Sequence, residues 1–302
     1  MKEEAVRFGK TRSLVGIITD PDSMDRESGN HLPAIILLNA GLLHRVGPNR
    51  LYVKIARNLA AMGFVVFRFD FSGIGDSGVR YDNLPIEKSG VSETQGAMDF
   101  LSATRGVEQF ILMGICSGAA FALRTAIEDP RVVGAVPIEG YYGSLPTRYY
   151  WSHLCNPISW WRVITGKKDV RDTIRIGWRI IKSLSVKIKC RFTPAVQTPP
   201  RLNLAADVCL LIESGVQLLL VYAKGGLAFY YFVAHEDELR AEMASGRLRV
   251  EVIEHSDHTF TSLSAQEYLL KVIQDWTQAS VQNQFWQRRS QLISSAQESS
   301  LP

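Results

Sequence analysis

Apolar and polar positions change period repeatedly along this chain, and each change predicts an element. Residues 34–41, AIILLNAG, form a continuous apolar run, the pattern of a strand buried on both faces. In NRLYVKIARNLAAMG (49–63) the apolar residues Leu51, Ile55, Leu59 and Met62 take helical spacing, and Gly63 closes the run. The alternation continues with strands at 64–70, 109–115, 132–140, 216–223 and 248–257, and helices at 92–106, 118–130, 235–246 and 264–280. Strand and helix in strict alternation predict an α/β fold with a mostly parallel central sheet and helices on both faces. AVRFGKTRSLVGIITDP, at the front, can add an antiparallel edge pair.

Between residues 140 and 216 the alternation stops for about 70 aromatic and basic residues, too many for a plain loop. The organisation expected is therefore a core over 1–142 and 213–280, an inserted cap over 143–212, and a polar tail over 281–302. The segment 218–234 is the most hydrophobic, but it holds Lys224 and a Gly-Gly pair, so it reads as a strand with its following loop.

Composition changes this picture in one place. The chain of 302 residues has a net charge of only +4, with 46% hydrophobic residues. Eleven Lys/Arg nevertheless fall between Arg148 and Arg191, against only Asp169 and Asp172. Within that stretch Ile174, Trp178, Ile181, Leu184 and Ile188 have helical spacing, with Arg171, Arg175, Arg179 and Lys182 on another face. A basic amphipathic helix suits peripheral contact with a membrane surface or an acidic ligand; a cap helix packing inward with a solvated basic face accounts for it as well. Nucleic acid is not expected, because no recognised module accompanies the charge. Four cysteines without regular spacing argue against a disulfide framework, and the acidic start MKEEAVRFGK is unlike a secretory signal. A cytoplasmic protein is expected; oligomeric state is left open.

The chemistry centres on ILMGICSGAA (111–120). Cys116 follows a strand and precedes a helix, and Gly114-x-Cys116-x-Gly118 is the nucleophile-elbow pattern with sulfur for oxygen. Ser117 fails as a rival centre, since Ile115 and Ala119 would occupy the glycine positions. A helix N-terminus favours the thiolate. The competing reading is that Cys116 simply packs, as free cysteines commonly do.

A cysteine nucleophile needs a base, and EHSDHTF (254–260), after the last strand, offers His255 and His258. His258 is better placed, since His255 would still belong to the strand. No further cluster supports a metal site there, and no cofactor is expected. The amides of Ser117 and Leu42 are candidates for an oxyanion hole, with His44 and Arg45 on the same loop either holding substrate or holding the loop. Trp160 and Trp161 suit an acyl-binding lining or core packing equally. The third triad member is the weak point. The acid is expected after the strand at 216–223, yet AKGGLAFYYFVAHE has no carboxylate until Glu236. Glu139, ending the preceding strand, is one substitute; a Cys–His dyad without an acid is another. GIGDSG (73–78) imitates a dinucleotide fingerprint, but no helix follows it.

Together NAGLLHRVGPNRLYV, FDFSGIGDS, GICSGA and DHTF resemble the α/β-hydrolase superfamily over roughly residues 10–280, and more particularly its bacterial branch of serine-aminopeptidase-like or exosortase-associated hydrolases. The resemblance implies an α/β-hydrolase fold with an inserted cap. It also implies ester, thioester or lactone chemistry on a small-molecule or carrier-bound acyl substrate, serving exopolysaccharide or acyl-carrier pathways. Some of the branch carry cysteine at the elbow, as dienelactone hydrolases do. The expected activity is a hydrolase with an acyl-cysteine intermediate, with an acyltransferase using the same nucleophile, or a non-catalytic hydrolase-like binding protein, as alternatives.

Overall fold

The computed structural model describes residues 1–22, 32–140 and 203–282. The chain divides into two compact units, Met1–Tyr141 with Leu204–Pro302, and Tyr142–Asn203; every described element lies in the first. The strands are β1 (Lys2–Phe8), β2 (Leu14–Asp20), β3 (Ala34–Leu38), β4 (Val66–Asp70), β5 (Phe110–Ile115), β6 (Val132–Ile138), β7 (Gln217–Ala223) and β8 (Leu248–Ile253). The helices are α1 (Leu51–Ala61), α2 (Ile86–Arg105), α3 (Ser117–Glu128), α4 (Leu204–Glu213), α5 (Leu227–Val233), α6 (Glu236–Ala244) and α7 (Leu263–Gln282).

The eight strands form one sheet in the order β1-β2-β4-β3-β5-β6-β7-β8. From β4 to β8 neighbours run parallel, while β1–β2 and β2–β4 are antiparallel, which is the edge pair expected from the front of the chain. The central strands β3, β5 and β6 are buried at every position, as their unbroken apolar runs require. Leu51, Ile55 and Leu59 of α1 share a core with Leu269, Val272, Ile273 and Trp276 of α7 and with Ile111, Met113 and Ile115 of β5. Phe8, Phe67, Phe69, Phe71, Phe100 and Phe121 form a ring cluster linking β1 and β4 to α2 and α3. Each such side chain stabilises the fold by about 2 kcal/mol on burial. The order of the strands reverses between β3 and β5, so the chain leaves these two strands in opposite directions at the sheet's carboxyl edge, where sheets of this kind carry their sites.

Four elements differ from expectation. Residues 227–233 are helix α5 and not loop, because Ala228, Tyr231 and Phe232 are spaced to bury one helical face. Helix α4 occupies residues assigned above to the insertion, yet it buries Leu204, Ala205, Val208, Leu211 and Ile212 and belongs to the first unit. Helix α2 begins at Ile86 behind Pro85, six residues earlier than its apolar spacing indicates, and β8 ends at Ile253, so His255 lies beyond the strand with φ 57°. Among the described residues no helix is long and apolar enough to cross a membrane.

Candidate active site

Three chain segments meet at the carboxyl edge. The first is the turn from β5 into α3. Cys116 sits there at φ 59°, ψ −114°, a conformation an L-residue adopts only under constraint. The constraint comes from its neighbours. A Cβ at Gly114 would lie 2.4 Å from the Gly118 carbonyl carbon, and one at Gly118 would lie 2.5 Å from the Leu38 oxygen. Only glycines allow α3 to pass this close to β3 and β5. Cys116 N–H donates to the Ile138 carbonyl at 2.9 Å, tying the turn to β6.

The second segment is the turn leaving β6. Glu139 is fully buried, has φ 50°, and donates its N–H to the Val221 carbonyl at 2.8 Å. Its Oε1 accepts the amide of Ala223, the last residue of β7. Its Oε2 receives His258 Nδ1 at 2.8 Å. His258, from the loop after β8, is half-exposed and acts electrostatically on the Cys116 thiol. The loop that presents it is built by Asp257, whose Oδ1 accepts the amides of Thr261 at 2.8 Å and Thr259 at 3.2 Å. Phe260, at φ 52°, is fully buried in the core and anchors the loop there.

The buried carboxylate orients the imidazole, and the imidazole acts on the thiol. Interaction with His258 holds the Cys116 thiol below its ordinary range, while burial pushes the other way. Interaction with Cys116 and then Glu139 pushes the His258 imidazole up to about 10. Both shifts favour thiolate and imidazolium, the reactive form of a cysteine nucleophile.

The third segment is the loop after β3. A hydrogen bond from Leu43 N–H to the Ala40 carbonyl at 3.0 Å closes a tight turn over Gly41 and Leu42, and the Leu42 side chain is exposed. Gly41 N–H donates to Ser117 Oγ at 2.8 Å. Arg45 pairs with the buried Asp70 and, at 2.6 Å, with Asp76, so its charge holds this loop to the turn after β4. His44 is exposed beside Gly75. The GIGDSG turn closes on Asp70, whose backbone carbonyl accepts Ser77 Oγ at 2.6 Å and whose carboxylate accepts the Asp76 amide. It is a structural knot of the β4 end.

Cys116, Ser117, Glu139, His258 and the Leu42 turn are therefore gathered at one edge. Trp160, Trp161 and the basic stretch 148–191 lie outside the described residues. Among the described residues no group of three or more His, Cys, Asp or Glu is placed to hold a metal ion. Sequence reasoning passed over Asn39, whose Oδ1 takes the Phe71 amide at 2.9 Å while its Nδ2 donates to the Leu43 carbonyl at 2.8 Å. It also passed over Gly226, where a Cβ would meet Glu139 Oε2 at 3.0 Å. An Asn directly after a buried strand and a Gly-Gly pair after β7 were the available signals.

The sheet order, the elbow and the placement of the catalytic candidates define an α/β-hydrolase fold. No family model matches the sequence, and no curated protein matches it. Solved structures match along nearly the whole chain. The α/β hydrolase GrgF of Penicillium is similar at 14% identity with a TM-score of 0.54, covering 92% of this chain and 99% of that one. An esterase of Pyrococcus furiosus is similar at 13% identity and a TM-score of 0.53, over 92% and 90% of the two chains. A dienelactone hydrolase of Anabaena variabilis is similar at 15% identity and a TM-score of 0.51, over 92% and 97%. Likeness at this level of identity establishes the fold and leaves the chemistry to the site.

Proposed function

We propose that the protein is a hydrolase of ester or thioester bonds that works through an acyl-cysteine intermediate. The observation that carries this reading is the His258 imidazole, oriented by the buried Glu139 at 2.8 Å from Nδ1, acting on a cysteine held at a strained elbow. A packing cysteine has no need of an oriented imidazole. In the reaction, the Cys116 thiolate attacks the acyl carbonyl, forming a C–S bond, and the carbonyl electrons move to oxygen. The amides of Ser117 and Leu42 stabilise that oxyanion. Collapse expels the alkoxide or thiolate, which takes the proton held by His258. Neutral His258 then accepts a proton from water as the water oxygen attacks the thioester. The second collapse releases the acid and restores thiolate and imidazolium. Glu139 holds the imidazole in one tautomer and stabilises its charge throughout.

The half-exposed edge of His258 is open to an acceptor other than water, and a thioester intermediate reacts readily with amines and thiols. Acyl transfer to such an acceptor is the same mechanism with a different second substrate. The resemblances to an esterase and a dienelactone hydrolase agree with acyl chemistry.

The test is the intact mass of wild type and Cys116→Ala after brief exposure to a panel of p-nitrophenyl esters and acyl thioesters. Wild type is expected to gain an acyl group that Cys116→Ala does not, and added thiols or amines to shorten its lifetime if transfer operates. An acyl group retained in Cys116→Ala, or no adduct and no product anywhere in the panel, overturns the acyl-cysteine reading.

A further inference from the structure

The strands β3 and β5 part at the active site, and two hydroxyl groups span the place where they do so. In the parallel ladder Ala34 pairs with Phe110, and Ala34 N–H donates to the Gln109 carbonyl at 2.9 Å. This parity repeats every second residue, so the last rung faces the Leu38 carbonyl with the Ile115 amide. Both groups bond the Tyr52 hydroxyl. It donates to the Leu38 oxygen at 2.7 Å and accepts the Ile115 N–H at 2.9 Å. Tyr52 comes from α1 and is 1% exposed; burial pushes its phenol well above the ordinary range, so it keeps its proton and remains a donor. Leu38 immediately precedes the Asn39–Leu42 turn, and Ile115 immediately precedes Cys116. Further on, the same two segments are joined again by the Ser117 hydroxyl, which accepts Gly41 N–H at 2.8 Å.

We infer that the Tyr52 and Ser117 hydroxyls are positioning residues that fix the distance between the Leu42 turn and the Cys116 elbow, and so set the geometry of the oxyanion hole. The inference rests on the acyl chemistry proposed above. The two amides that would receive the oxyanion belong to different strands' loops, and no main-chain bond of the sheet continues past Leu38 and Ile115 to register them. Two side-chain oxygens, one buried beneath the gap and one at its mouth, supply that registration. Neither hydroxyl hydrogen-bonds His258 or Glu139, and His258 is the main support of the thiolate.

This separation makes the role measurable. Ester acylation of Cys116 develops an oxyanion, whereas alkylation by iodoacetamide needs the thiolate alone. The rates of both reactions are measured on wild type, Tyr52→Phe, Ser117→Ala and Ser117→Thr, using a p-nitrophenyl ester that acylates wild type. Removal of a direct oxyanion donor costs roughly 100- to 1000-fold, and a misplaced one costs less, so acylation is expected to fall roughly 10- to 100-fold in Tyr52→Phe and in Ser117→Ala. Alkylation is expected to stay within about twofold, and Ser117→Thr to restore acylation, because only the oxyanion geometry is disturbed. A ratio of acylation to alkylation that does not change in either Tyr52→Phe or Ser117→Ala overturns the inference. So does a parallel fall of both rates, which would mark a damaged elbow. If wild type forms no acyl adduct with any ester, the hydrolase reading fails and this inference falls with it; an adduct with an unchanged ratio removes the inference alone.

Discussion

The ends of β5 and β6 lie side by side and make the same backbone turn. Cys116, one residue past β5, has φ 59°, and Glu139, one residue past β6, has φ 50°. Each donates its N–H across to the strand on the same side, Cys116 to the Ile138 carbonyl and Glu139 to that of Val221. The two turns differ in what holds them. The Cys116 turn is enforced by glycines two residues away on either side, where any Cβ would strike backbone atoms of Gly118 or Leu38. The Glu139 turn has no such frame in its own sequence. It is held by the loop after β7, more than eighty residues on, through the Ala223 amide and the close approach of Gly226. One strained site is therefore framed by glycines of its own segment and the other by a distant one, and the second costs the fold a buried carboxylate that His258 and the Ala223 amide satisfy.

That difference sets the first and largest expectation. Replacing Glu139 with Gln keeps the shape and the bond from Ala223 but removes the charge that holds His258 in place. The kcat of the acyl reaction is expected to fall roughly 1000-fold, within the range seen when a triad acid is neutralised, while far-ultraviolet dichroism stays the same. A loss below tenfold would show that Cys116 and His258 work as a dyad, and Glu139 would then be only a structural bracket between β6 and β7.

The same contrast explains what was legible in the sequence. Gly114, Cys116 and Gly118 announce their turn because the three residues that make it lie within five positions, even though the atoms Gly118 must clear belong to Leu38 and Asn39. Strand β5 and helix α3 flank it with unbroken apolar and helical periods, so the sheet and the nucleophile are both readable. His258 is readable because it follows the last strand. Glu139 is visible only as one candidate, because its partners, Ala223 and His258, are 84 and 119 residues away. Helix α5 is hidden for a related reason. Its sequence LAFYYFV is apolar on every side, so the helical spacing of the buried Ala228, Tyr231 and Phe232 does not stand out from their neighbours. Tyr52 is the plainest case. It reads as one more apolar position of α1, and only the packed structure puts its hydroxyl between Leu38 and Ile115.

A second expectation follows from the electrostatics of the pair. The Cys116 value is lowered and the His258 value raised to about 10, so thiolate and imidazolium coexist from below the ordinary thiol range up to near pH 10. The alkylation profile of Cys116 should then have its midpoint below the ordinary thiol range and fall on the acid side, as the thiolate takes up its proton. In His258→Gln the thiol loses its main support and returns toward its ordinary value of about 8.5, so at pH 6 the thiolate fraction should fall by up to about 300-fold. The measurement is the rate of iodoacetamide labelling against pH. A profile in wild type with a midpoint in the ordinary thiol range would contradict the ion pair.

The smallest expected effect probes the cradle around Glu139 itself. Gly226 has an ordinary φ of −72°, so alanine is permitted there on backbone grounds and only space opposes it. The added Cβ would lie 3.0 Å from Glu139 Oε2 and 3.2 Å from the Ala223 carbonyl oxygen, and the carboxylate must yield by a few tenths of an ångström. Because Oε2 is the atom that receives His258 Nδ1, the displacement acts on the imidazole and not on the thiol. Gly226→Ala is therefore expected to reduce kcat by about tenfold, with a stability loss of about 1 kcal/mol, the lower end of what overpacking a filled site costs. KM should hardly change, since the added Cβ meets Glu139 and the Ala223 carbonyl and not Cys116 or the Leu42 turn. If activity were untouched while stability fell, the loop after β7 would bracket the sheet without tuning the acid, and the geometry of Glu139 would have to be credited to its own turn.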